Sequence, residues 1–541
     1  MGVIESDAYH DQAIEAAFLH SRIGCYFIGP YARRVSFASQ QIRALDLIRA
    51  LELKGKLPRK ERVAVVGGGI AGLTAVAALR GRKCKVDLYE ASETVLMRQR
   101  QASHRVVHPT IARWPMEPLG LTTEFPVYDW AAAPCSDVMD VLLEEWRRFF
   151  EPHPGCGDEL CVFPDGKVEM LLPRRHRGNN EVRLKVNGAV LDQAYQLVIV
   201  TVGYGAEAGD GDQPVTSYWT PDELERRRRA GVCFAVGGCG DGGLIDALRL
   251  AHNHFHGGWL AFAVAERLSS LESAIPERIA KAEHDALMMF KSLACMSTDP
   301  AKEMPVDDLM LKPLYDAYQD AVEDLPPEIE DMLTRSLNDG PDMVGKIQLI
   351  APESQPTVPF AAPIHKLMLL HAIKENVVQW EPSSKIVFKE GGFVRTSNGS
   401  APDEPLDGWE VIQRRGALPA LRDFLSGGET TTLRLRQFML ADRIDRNRSR
   451  DFSAPAGYPT RSKNLLFINS RYRAARALVA SVDPRYHLDA DEGGFTYVLT
   501  SSAAEPLPES GASVGVTLPK TLFGILPAET APLSCYELLR T

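Results

Sequence analysis

Three glycines, Gly67, Gly69 and Gly72, directly follow the apolar run 63–66, and an acid, Glu90, directly follows the next apolar run, 85–89. Each residue type has a use where an extended anion must be held. Gly67 lets the chain turn tightly out of a strand. Gly69 carries no side chain to keep a pyrophosphate off the backbone, and Ile70 and Ala71 open a helix whose N-terminal amides and dipole receive negative charge. Gly72 lets that helix lie close against the strand. Glu90, with Ala91 beside it, offers two oxygens to a ribose diol, and an acid there disfavours a phosphorylated ribose. Strand, glycines, helix, second strand and acid stand in the order that a dinucleotide-binding unit requires.

Several elements must position this unit. An apolar helix is expected over 70–79, and residues 1–60 read mostly as helix. In that segment Ile42, Leu45, Ile48 and Leu51 fall at helical intervals behind Ser39 as N-cap. Strands and helices alternate from 63 to about 205, and a second strand–glycine–helix pattern spans 232–250. Residues 258–340 read as helical, and strand-like runs return at 346–353, 385–391, 393–397 and 408–415. The expected fold class is α/β: a Rossmann-type domain over 61–215 and a second Rossmann-like nucleotide-binding domain over 216–425, with a helical insertion at 258–340. An N-terminal helical segment, 1–60, precedes them. The region 426–541 either completes the first domain or covers the site, and its tail from about 500 is rich in Pro, Ser, Gly and Ala.

The segment RVAVVGGGIAGLTAVAALRGRKCKVDLYEAS resembles the FAD-binding fingerprint of glutathione-reductase-type and amine-oxidase-type flavoproteins. Val76 is a departure, since the family usually has Ala or Gly there. Downstream, VRLKVNG and QLVIVTVGYG resemble the strand pair closing that domain, with Thr201-Val202-Gly203 in place of the usual Ala-Thr-Gly. That resemblance implies that Thr201 and Gly203 border the cofactor. Features such as QQIRALDLI, SHRVVHP and GDGGLIDALRL also resemble bacterial FAD/NAD(P)-binding proteins of unassigned substrate.

A second turn, Gly238-x-Gly240-x-x-Gly243, follows an apolar strand and precedes an apolar helix. Two-dinucleotide flavoproteins, flavin monooxygenases among them, place an NAD(P)H fingerprint at a similar point. On that reading the run ending at Glu353 is its second strand. Asp241 argues the other way, because a carboxylate repels an approaching phosphate. The competing reading makes Gly240-Asp241 the pair that closes an FAD site, with Asp241 on the ribitol. A plain structural turn is the third.

Arg98, Arg100 and Arg105 have the chemistry to neutralise cofactor phosphates, since guanidinium pairs with phosphate bidentately. His104, His108, Trp114 and Trp130 are candidates for the substrate side of a flavin, against a packed Pro/Trp-rich loop. Gln40, Gln41 and Arg43 read better as surface helix than as cofactor cover. His252, His254 and His256 lack companion carboxylates or thiolates at ligand spacing. Cys156 and Cys161 lack a partnering pair, so no metal site is expected. Arg226–Arg229 reads better as a solvated helix end than as a 2′-phosphate site.

Sixty-one Lys and Arg against 71 Asp and Glu give a net charge of −10, which offers no general support for nucleic-acid binding. No apolar run has the roughly 18 residues of a membrane span. Nine scattered cysteines without C-x-x-C, and no signal-like N-terminus, suit a reducing cytoplasm and argue against a flavin-disulfide reductase. The expectation is an FAD-dependent oxidoreductase reduced by NAD(P)H, monooxygenase-like, acting on a small organic substrate. The alternatives are an amine- or amino-acid-type oxidase using O2, and a non-catalytic flavin-binding sensor or scaffold. Homo-oligomerisation stays open.

Overall fold

A computed structural model describes residues 2–18, 24–29, 35–58, 61–120, 122–123, 125–150, 159–176, 179–207, 216–228, 232–253, 255–296, 308–337, 347–389, 392–397, 403–414, 417–419, 424–425, 429, 433, 437, 486–490 and 497–501. The first glycine turn leaves a five-stranded, all-parallel sheet. Its order is Cys25–Phe27, Leu197–Val200, Arg62–Val66, Lys85–Tyr89, Leu160–Phe163. Alternation within one strand decides what covers each face. Val63 and Val65 pack with the helices Phe37–Leu53, Ile70–Gly81 and Cys135–Phe149. Ala64 and Val66 pack with Val168, Leu171, Val182 and Leu184 of an antiparallel meander. Both faces are therefore apolar, as a parallel sheet requires.

The second turn leaves a separate parallel sheet in the order Val378–Glu381, Ile347–Ile350, Cys233–Gly237, Trp409–Gln413. It repeats the plan of the first. Phe234 and Val236 face helices, while Ala235 and Ile350 face Ile386 and Leu406 of a three-stranded antiparallel layer. Four helices, Trp259–Ser270, Ile275–Met296, Asp308–Glu323 and Pro327–Ser336, lie in the chain between the second glycine helix and strand Ile347–Ile350. They share one core with the helix Pro363–Lys374. Among the described residues the architecture is thus α/β, with two Rossmann-like cores and a helical insertion.

Three particulars differ from the sequence reading. The strand Cys25–Phe27 lies inside the segment expected to be mostly helical, buried at the sheet edge. The helix expected to be capped by Ser39 begins earlier. Ser36 is its N-cap and accepts from Ser39 N at 3.2 Å, while Ser39 Oγ accepts from Ser36 N at 2.9 Å. This is a reciprocal capping box, and it admits Phe37 to the helix, stacked on Trp219 at 5.6 Å. Phe424 and Leu425, assigned by sequence to the second domain, pack on the first sheet with Phe27, Val66 and Leu433. Gln437 follows them and donates from Nε2 to Phe27 O at 2.8 Å. The tail beyond 501 lies outside the described residues, as do His254 and Cys156.

Candidate functional site: two glycine turns on one cavity

Gly67 adopts φ +105°, and its N–H donates to Tyr89 O at 2.8 Å, tying the turn to the neighbouring strand. A Cβ on Gly72 would overlap Gly67 O, so only glycine lets the helix start this close to the strand. Gly69 caps the helix without a side-chain acceptor, and a Cβ there would meet nothing within 4 Å. The backbone at Gly69 can therefore be approached closely. Thr201 Oγ1 lies 3.0 Å from Val66 O and 2.9 Å from Gly67 O, clamping the turn from below. Glu90 accepts from Gly68 N at 2.6 Å and from Ser92 N at 2.7 Å.

The second turn repeats this geometry. Gly238 has φ +107° and donates to Ile350 O at 2.8 Å. A Cβ on Gly243 would overlap Gly238 O, and one on Gly240 would meet nothing within 4 Å. The two turns differ in their acids. Asp241, in the first turn of the second glycine helix, accepts from Ala362 N at 2.9 Å and from His365 Nδ1 at 2.7 Å. Its carboxylate thus joins two helix N-termini, its own and that of Pro363–Lys374. Cys239 Sγ donates to Glu353 Oε2 at 3.2 Å. Burial, then the neighbouring Glu353 carboxylate, push that thiol well up, so it stays protonated and able to donate.

Both turns line a single cavity of about 1630 Å³. That exceeds the roughly 300–1,000 Å³ typical of a pocket for one small ligand. Gly67, Gly69, Ile70, Ala71, Glu90, Ala91, Arg98, Thr201 and Gly203 reach it from the first domain, and Gly238, Gly240 and Asp241 from the second. Gly72 and Gly243 lie behind the turns. His108 and Trp130 stand on the cavity wall. Trp114 does not: it is buried in the helical core of the second domain, with Nε1 donating to Ser269 Oγ at 2.8 Å.

His108 Nδ1 accepts from Thr110 N and Ile111 N, both at 3.1 Å, and its ring lies 4.6 Å from Phe262. A proton on Nδ1 would face two N–H donors, so Nδ1 serves as the acceptor of the ring. Trp130 donates from Nε1 to Gln41 Oε1 at 2.7 Å, and Gln41 Nε2 reaches Tyr128 O at 3.0 Å. Gln41 is therefore buried support rather than surface helix.

Arg105 lines the cavity but is only 1% exposed and already paired. Its guanidinium meets Asp246 at 2.5 Å and Asp222 at 3.5 Å and lies 3.9 Å over the Tyr218 ring. Arg249 and Arg414 join the same two aspartates. Burial opposes ionisation of Asp246, but Arg105 and Arg414 outweigh it and hold its carboxyl below the usual carboxylate range. Burial, then Arg105, push the His104 imidazole down to about 4. The partners of Arg105 lie more than a hundred residues downstream, where no local pattern signals them. Cys239, Tyr218 and His365 were likewise not singled out from sequence.

The remaining candidates lie apart or carry other contacts. Arg100 pairs with Asp140 at 3.1 Å on the surface, and Arg43 donates to Gly29 O at 3.1 Å. His252 is buried against Ser336 Oγ at 2.7 Å. Arg227 pairs with Glu410 at 2.9 Å, and Arg228 donates to Leu250 O at 2.9 Å. Cys161 receives Arg62 Nη2 at 3.1 Å. Among the described residues no group of three or more His, Cys, Asp or Glu is placed to hold a metal ion, and no helix is long and apolar enough to cross a membrane.

The chain is distantly similar to several solved structures. The bacillithiol disulfide reductase Bdr of Staphylococcus aureus aligns at TM-score 0.36 and 10% identity, over 67% of this chain and 80% of its own. Thioredoxin reductase of T. acidophilum aligns at 0.33 and 9%, over 71% and 100%. OTEMO in complex with FAD and NADP aligns at 0.33 and 12%, over 81% and 94%. No curated protein matches the chain. The family described as NAD(P)-binding Rossmann-like domain matches residues 65–118, the stretch that runs from the first glycine turn past Glu90 and His108.

Proposed function

We propose that this chain is an FAD-dependent oxidoreductase, reduced by a nicotinamide dinucleotide and acting on a small organic substrate. One observation carries the reading: two glycine turns of matching geometry open on one cavity, so two dinucleotides can meet there. The first turn suits FAD. Open space over Gly69 leaves room for a pyrophosphate against the helix amides. Glu90, which already accepts two backbone N–H groups, keeps lone pairs for a ribose diol. Gly238 and Gly240 would take the pyrophosphate of the nicotinamide partner. FAD held there would supply hydride acceptance from reduced nicotinamide and electron transfer to O2, monooxygenation included, or to another acceptor.

The chain's own residues bind, orient and exclude water. His108 stands on the cavity wall with its ring held through Nδ1 by two backbone N–H groups, and Trp130, locked by Gln41, supplies a rigid apolar surface. The test is the visible spectrum of the purified protein, followed during anaerobic titration with NADH and with NADPH. A flavin spectrum bleached by either is expected. A colourless protein that binds no added FAD would refute the reading.

One observation favours an amine- or amino-acid-type oxidase instead. Asp241 places negative charge in the second turn, where a phosphate would lie. Bleaching by a panel of amines, and by neither nicotinamide, would decide for that alternative.

A further inference from the structure

The two glycine turns can be compared residue by residue, because both are pinned to their neighbouring strands in the same register. Val66 pairs with Tyr89 and Gly237 with Ile350, and the next residue in each case donates to the partner strand's last carbonyl at 2.8 Å. In the first turn the acid comes immediately, as Glu90, and its Oε2 accepts from Gly68 N. In the second, Ala351 stands at that position, and the acid comes two residues later. The connection Ala351-Pro352 brings Glu353 back, so that its Oε2 accepts from Cys239, the counterpart of Gly68. A carboxylate therefore faces the middle of both turns, by different backbone routes.

Resting on the proposed nicotinamide site, we infer that Glu353 makes this chain select NADH over NADPH. At this place in a dinucleotide unit a carboxylate accepts both hydroxyls of the adenosine ribose. A 2′-phosphate would bring two negative groups together, and like charges juxtaposed at an interface are strongly unfavourable. Glu353 lines the cavity, and the protonated Cys239 thiol holds one of its oxygens. Among the described residues, two cations line the cavity beside the second domain's strands: Arg414, already paired with Asp246, and Lys385, exposed on strand Ser384–Lys389. As a solvated charge Lys385 is screened, and it does not offset a carboxylate at the ribose itself.

The test uses the full chain in excess FAD and two redox-inert probes, ADP-ribose and 2′-phospho-ADP-ribose, by isothermal titration. Wild type should bind ADP-ribose roughly tenfold or more tightly than its 2′-phospho counterpart. Glu353→Gln should narrow that ratio several-fold. Equal or tighter binding of the phosphorylated probe overturns NADH selection and leaves the nicotinamide site standing. A ratio unmoved by Glu353→Gln overturns the role of Glu353. Binding of neither probe, with FAD bound, overturns the nicotinamide site and this inference with it.

Discussion

Asp246→Asn should cost far more stability than Arg105→Met, although the two residues form one ion pair. Both lie in a buried cluster of three arginines, Arg105, Arg249 and Arg414, and two aspartates, Asp222 and Asp246, so the formal charge is 3 − 2 = +1. Asp246 is fully buried on the second glycine helix and meets all three guanidiniums, at 2.5, 3.0 and 2.7 Å. Neutralising it leaves three buried cations facing one carboxylate, a formal +2. Breaking a buried pair in this way costs about 3–5 kcal/mol. At about 2–4 °C per kcal/mol for a domain of this size, the melting midpoint should fall by about 6–20 °C.

Arg105→Met, by contrast, leaves two arginines facing two aspartates and keeps most of the buried stem volume. Its loss is chiefly the contact over Tyr218, about 2 kcal/mol for a desolvated cation on a ring. The double variant restores the formal +1 and should lose less than the sum of the single losses. Guanidinium unfolding of all four proteins, followed by tryptophan fluorescence, closes the cycle. If Arg105→Met costs as much as Asp246→Asn, or if the two losses simply add, the charge-balance reasoning is refuted. The cluster would then be ordinary packing.

Other outcomes follow from the same geometry. Gly72→Ala should abolish FAD retention, because its Cβ would overlap Gly67 O; Gly243→Ala should spare FAD and abolish binding of the nicotinamide dinucleotide, both read by absorbance and calorimetry. Glu90→Ala removes two ribose acceptors and should weaken FAD by about 1.5–3 kcal/mol, roughly ten- to a hundredfold, in an equilibrium titration of apoprotein. Burial, then His371 and Arg228, push His252 down from 6.5 to about 3. Between those values the unfolded chain binds the proton and the folded chain does not. Stability should therefore fall as pH drops below about 6.5, by at most about 1.4 kcal/mol per unit, and level off near pH 3. A His252→Gln variant should lose that part of the slope in urea midpoints measured from pH 7 to pH 4.

What was legible in the sequence is what contiguous residues settle among themselves. Gly67, Gly69 and Gly72 sit within six residues, and their roles follow from φ, open space and helix packing, which are local properties. The parallel strand 85–89 was equally plain, since an apolar run after a glycine helix has one place to go. The edge strand Cys25–Phe27 was not, because three residues carry no usable period and only pairing with Val198–Val200 makes them a strand. Arg105 illustrates the harder case. Its charge and its place near the first turn made a phosphate role reasonable, but Asp246 lies 141 residues away, and only tertiary structure brings the two together. Ser36 rather than Ser39 caps the second helix because the two serines bond reciprocally across the first turn.

The acids of the second turn extend the same point to function. In the sequence Asp241 counted against a phosphate simply because it is negative. In the fold its carboxylate is held by Ala362 N and His365, where a second helix presents its N-terminal amides. A carboxylate between two positive helix ends is less repulsive to a third anion than the same buried charge without them, since both dipoles oppose its field. It also occupies donors that a pyrophosphate would otherwise use. The first glycine helix holds no acid in its own first turn, and the carboxylate that meets the first glycine turn, Glu90, comes from the neighbouring strand and accepts from Gly68 N. On this electrostatic ground the first turn should be the tighter anion site. That is the order expected if a resident cofactor lies in the first turn and a dinucleotide that must leave after each turnover binds in the second.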